Sequence, residues 1–179
     1  MHSKSPALVF AVAVVIGVLA SRALPKAPDL SGTWVLERED PIQVEGRATG
    51  SGAATVGLGS TITIVQTRDS LIITPDGGAT ATYPFDNRET TFTRATGETI
   101  TSRTRWEGPA AVTDTCRQSP AANGIAAVRT RESRSLGQDG STLTIRVTIE
   151  APGRSLTRTL IFRKQTAGVE RRQLQASYA

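Results

Sequence analysis

The sequence predicts an antiparallel up-and-down β-barrel of about 8–10 strands after an N-terminal signal segment. Three observations carry that expectation. Runs rich in Thr, Val, Ile and Leu alternate with period two across most of the chain. Glycine, proline and Asp/Asn clusters cut those runs at short intervals. No sustained helix-period stretch interrupts them. A long meander exposes two sheet edges, and curling into a barrel removes them.

Residues 1–23 carry the marks of an export signal. Lys4 and the N-terminal amine start it, Ala7 to Ala20 form an apolar run, and Val18-Leu19-Ala20 and Ser21-Arg22-Ala23 offer small residues for cleavage. That run falls short of the roughly 20 residues a spanning helix needs. Cleavage and release into the periplasm or extracellular space are therefore expected. An uncleaved anchor, the alternative, is the one route to a membrane.

The barrel is expected over residues 24–165. Leu30 to Glu37 is the first strand. Residues 38–59 follow as a Gly-rich flap with Pro41 and five glycines, too long for an ordinary connection. Its Gly50-Ser51-Gly52 lacks both a third glycine at the right offset and a following Gly-Lys-Ser/Thr, so no nucleotide fingerprint is present. Strands are then expected over Ser60–Gln66, Leu71–Ile73, Ala79–Phe85, Glu89–Arg94 and Thr99–Trp106. Val112–Cys116 comes next, before a polar loop around Pro120. Ala127–Leu136, Leu143–Ile149 and Ser155–Arg163 complete the set, joined by Gln138-Asp139-Gly140 and Pro152-Gly153. Residues 166–179 read as a C-terminal tail.

Gly32-Thr33-Trp34 near the start and Leu160-Ile161-Phe162-Arg163 at the end resemble the lipocalin-like arrangement. In that family a Gly-x-Trp on the first strand meets a basic residue from the last, which rests on the indole face. The resemblance therefore implies a structural closure of the barrel by Trp34 and Arg163. The Asp29-Leu30-Ser31-Gly32-Thr33-Trp34 start is also similar to that of small exported bacterial lipocalin-like proteins. So are Arg88-Glu89-Thr90-Thr91, Trp106-Glu107-Gly108 and Asp139-Gly140-Ser141-Thr142. The likeness runs over roughly residues 29–165 and implies a fold rather than an activity.

The chemistry the chain lacks bounds its function. His2 is the one histidine, and it lies in the segment expected to be removed. The mature chain then has no histidine base, nucleophile partner or metal ligand. A single cysteine, Cys116, makes neither an internal disulfide nor a zinc cluster; it is a small hydrophobe or a free thiol. Loss of residues 1–23 lowers the formal charge from +5 to +3, with no concentrated basic stripe of the kind nucleic acid requires. No enzyme, cofactor, metal site or nucleic-acid partner is expected.

One constellation points to a ligand. On the last strand Leu156, Arg158, Leu160 and Phe162 share a face. Val128, Thr130, Glu132, Arg134 and Leu136 share another, and Ser102 and Thr104 lie on the face of Trp106. If these faces look inward, Glu132, Arg134, Arg158 and Thr104 meet in the lumen. Glu132 then balances one arginine, and the other holds a small amphipathic or anionic ligand. If register slips by one residue, Arg158 rests on Trp34 instead and the site dissolves. Arg103, Arg105, Arg129 and Arg131 have the opposite parity and read as a solvated outer face. The expected function is an exported barrel that binds a ligand. The alternative is an envelope interaction module with a filled barrel.

Overall fold

The computed structural model describes residues 27–46, 58–121 and 124–166. The expected signal segment, half of the Gly-rich flap and nearly all of the tail lie outside them. Among the described residues, eleven strands form one antiparallel sheet. They are β1 (Gly32–Glu39), β2 (Gln43–Gly46), β3 (Thr61–Gln66), β4 (Ser70–Pro75), β5 (Ala81–Pro84) and β6 (Thr90–Thr93). Then follow β7 (Thr99–Glu107), β8 (Ala110–Ala121), β9 (Gly124–Leu136), β10 (Thr142–Ala151) and β11 (Arg154–Lys164).

The pairing order runs β5-β4-β3-β1-β11-β10-β9-β8-β7-β6, so β3–β5 and β6–β11 each pair in sequence order. Strand β1 lies between β3 and the last strand, and the sheet ends in β5 on one side and in β6 on β7 on the other. This is an up-and-down arrangement. Its two edges meet without a ladder: β5 lies against β7, Asn87 N donates to Thr104 O at 3.2 Å, and Phe85 meets Trp106 with ring centroids 5.0 Å apart. The sheet is thus a barrel with an unzipped seam.

Two expectations are corrected. The flap is not loop throughout, because β2 pairs with the lower half of β11, Gly46 facing Arg154. Gly46 has φ 98°, and a Cβ there would lie 2.4 Å from Gly153 O, so only glycine lets these backbones approach. The strand before Pro120 is also longer than Val112–Cys116. It extends to Ala121, and Pro120 sits opposite Ile125 near the hairpin end, where a missing N–H costs little.

Because β1 and β2 share β11, the molecule has two storeys. Above, β1 and β3–β5 face β7–β11 and close over a core of Leu30, Trp34, Ile62, Ile64, Leu143 and Phe162, each at most 1 % exposed. Each such side chain contributes about 1.5–3 kcal/mol by burial. Below, β2, β11, β10, β9, β8, β7 and β6 continue as an open trough. Its inner face carries the half-buried Leu156 and Val128 and, at the free edges, the exposed Val44 and Phe92.

Candidate functional site

The closed end is built from the first residues of the barrel. Gln66 receives Leu30 N at 2.9 Å and donates to Pro28 O at 3.0 Å, bolting the start of β1 to β3. Trp34 Nε1 donates to Leu30 O at 3.0 Å, so the buried indole has its one polar atom satisfied. The cation over its ring is Lys164, 5.3 Å from the centroid, and not Arg163. Arg163 stands one residue away and therefore on the other face, where it pairs with Glu37 at 2.8 Å and Asp139 at 3.2 Å. Gly32 makes room for the lysine stem: its φ is 143°, and a Cβ would lie 2.7 Å from Lys164 Cε.

Along the inner face the strand registers bring three of the four expected ligand residues together. Thr104 faces Thr113, Thr113 faces Glu132, Glu132 faces Val147, and Val147 faces Arg158. Arg134 lies one row nearer the closed end and is 0 % exposed. Its Nη2 donates to Glu132, whose side chain is 15 % exposed, and its Nη1 donates to Thr113 Oγ1 at 2.9 Å. The Thr113 and Thr104 hydroxyls are 3.0 Å apart, so Thr104 joins the cluster through its neighbour. The guanidinium also lies 5.2 Å from the Tyr83 ring centroid. Burial raises the Tyr83 phenol above its ordinary range; Arg134 opposes this and Glu132 adds to it, so the ring stays neutral. One polar atom remains: Arg134 Nε is buried without a hydrogen-bond partner among the described residues.

Arg158 is on the expected face but is not the free cation. It forms a fork with Glu39, Nη2 donating to Oε2 at 2.6 Å. The reason is a β-bulge. Between Leu36 and Arg38 the register of β1 on β11 shifts, so Glu37 is the extra residue and Glu39 comes opposite Leu160. Without the bulge, Arg38 would share the inward parity of Trp34 and Leu36. The bulge therefore replaces an inward arginine by an inward glutamate, and that glutamate takes Arg158. Sequence alternation found the faces of Glu132, Arg134 and Arg158. It missed Glu39, which only the bulge turns inward, and Tyr83 and Thr113, which register brings in.

The outer face of the same strands holds a groove of about 470 Å³. Arg105 and Arg131 each reach both Asp114 and Glu107 in a closed ring of four charges, with Arg105–Asp114 at 2.6 Å and Arg131–Asp114 at 3.1 Å. Val112, opposite Arg105 in register, is 2 % exposed although it points away from the core. Arg103 pairs with Glu89 at 3.1 Å. Arg129 stands between Cys116 and Glu150 in register, and Cys116 is a half-buried free thiol. Among the described residues no three His, Cys, Asp or Glu side chains gather as a metal site.

No family model and no curated protein matches the chain. Two solved structures are similar in outline. A point mutant of the REP1-NXSQ fatty acid transporter has 16 % identity and a TM-score of 0.43, covering 76 % of this chain and 98 % of that one. The parent REP1-NXSQ fatty acid transporter has 18 % identity and a TM-score of 0.42, covering 76 % and 96 %. Likeness at this level assigns neither site residues nor ligand, and what the chain shows by its own strand order is an antiparallel up-and-down barrel.

Proposed function

We propose that the protein is an exported, non-enzymatic barrel that binds a small amphipathic molecule on its inner face. One observation carries this reading. Arg134 is wholly buried with an unpartnered Nε, at the boundary between the filled upper storey and the uncovered trough. Buried polar groups are nearly always satisfied, and a buried N–H left without a partner is what a ligand or its bridging water completes. The export part rests on Lys4 and the Ala7–Ala20 run.

Native mass spectrometry of the exported protein from its own cells tests both parts. The expected result is a chain shortened at residue 20 or 23 that carries an extra small mass. A variant with Arg134→Met and Glu132→Leu, which removes the ion pair without leaving one charge alone, is expected to come out bare. A bare wild-type chain would overturn tight carriage, and an intact N-terminus would overturn cleavage.

The outer groove supports a second reading, an interaction surface. Arg129 and Glu150 lie side by side there without a hydrogen bond or ion pair of their own among the described residues. Charge reversal at Arg129 is expected to abolish capture of a partner and to leave the bound small mass in place. Loss of the small mass instead would join the two faces in one function.

A further inference from the structure

Resting on the inner-face reading, we infer that the ligand is an electrically neutral amphiphile. Its head carries hydroxyl or carbonyl groups, and it lies across the trough in one row of side chains. That row follows from register: Ser102 faces Thr115, Thr115 faces Thr130, Thr130 faces Ile149, Ile149 faces Leu156, and Leu156 faces Val44. One half of the row is hydroxyls and the other half aliphatic. With strands about 4.8 Å apart, each half spans roughly 10 Å. A molecule with a compact polar head and a short apolar tail matches that division.

The hydroxyl half is available. Thr115 and Thr130 are half-buried, and neither hydroxyl is hydrogen-bonded to another group among the described residues. Ser102 is engaged by Thr90 at 3.0 Å. Each free hydroxyl both donates and accepts, which suits a sugar, glycerol or ester head better than a carboxylate, which only accepts.

The charges around the row argue against an acid. Of the inner-face arginines, Arg134 is held by Glu132 and Arg158 by Glu39, while Arg117 meets Glu98 at 3.4 Å. Arg154, at the far end of β11, is not free either. A carboxylate entering this row loses its hydration and, among the described residues, meets no inner-face arginine without a partner, whereas a neutral head loses far less.

Isothermal titration of the mature exported chain with three probes of equal tail length decides the matter. These are octyl glucoside, 1-octyl glycerol and octanoate, each below its micellar concentration. At least one neutral probe is expected to bind tenfold or more tighter than octanoate. Thr115→Val with Thr130→Val is expected to weaken that probe about tenfold and to leave octanoate unchanged, at an unaltered melting temperature. Leu156→Asn is expected to weaken every probe that binds. Octanoate binding as tightly as the neutral probes would overturn the neutral head while leaving the inner-face site standing. No binding by any probe, together with a bare chain in native mass spectrometry, would overturn the site and the inference with it.

Discussion

The two faces of β7, β8 and β9 hold the same ions in opposite circumstances. On the outer face Arg105, Glu107, Asp114 and Arg131 form their ring with side chains 27–46 % exposed. On the inner face Arg134 and Glu132 pair at 0 % and 15 %. Thr113 points inward and Asp114 outward, so a single step along β8 separates the two settings. Water and salt screen the outer charges, and each of those pairs contributes little. The inner pair lost its hydration on folding, so each charge there depends on the other. The inner ion pair keeps one N–H unpartnered, while the outer ring's members satisfy one another at a solvated surface.

The largest expected effect strips the inner pair of its acid. Glu132→Gln leaves Arg134 charged and buried, and is expected to cost about 3–5 kcal/mol in urea unfolding. Adding Arg134→Met should recover most of that loss. A cost below about 1 kcal/mol would mean that Arg134 reaches water, and the contrast between faces would collapse. Asp114→Asn or Glu107→Gln in the outer ring is expected to cost at most about 1 kcal/mol after screening. That loss should vanish in 1 M salt, where the Debye length is about 3 Å, while the Glu132 effect persists.

At the closed end Lys164→Met is expected to cost about 0.5–1 kcal/mol and to alter Trp34 emission. Arg163→Met should leave that emission unchanged, because Arg163 faces away. The reverse pattern would restore the pairing expected from the sequence.

The smallest effect concerns the β9–β10 turn. Hydrogen bonds from the Ser141 and Thr142 hydroxyls, and then from their backbone N–H groups, hold the Asp139 carboxyl well below the usual carboxylate range. A depressed pKa stabilises the fold above the unfolded value of about 3.9. That contribution is lost as pH falls below this value toward the folded one. Melting curves between pH 2 and 6 should therefore be flatter for Asp139→Asn than for the parent, and parallel curves would remove the turn from the acid response.

Much of this arrangement was legible in the residues themselves. Alternation grouped Glu132 with Arg134, Arg158 with Leu160 and Phe162, and Thr104 with Trp106, and left open whether those faces look inward. Chain order alone implied the meander. What escaped were one-residue events and remote partners. The bulge at Glu37 leaves no mark in a charged Glu-Arg-Glu run, yet it decides whether Arg38 or Glu39 turns inward. The choice between Arg163 and Lys164 over Trp34 is likewise a matter of one residue in parity. β2 hid in a stretch whose composition reads as loop, because its four residues become a strand only by pairing with Arg154–Thr157 of β11.

The sequence by itself determined most of the strands, their turns and which residues share a side within an unbulged strand. Those properties depend on period two and on local turn chemistry, which act over a few residues. Tertiary structure alone decided that Glu39 neutralises Arg158 and that Tyr83 roofs Arg134. It also set the seam between β5 and β7, and the trough left open where β2 replaces β1 along β11. Each of these depends on register between strands distant in the chain, and a shift of one residue in register exchanges every inward side chain for its outward neighbour.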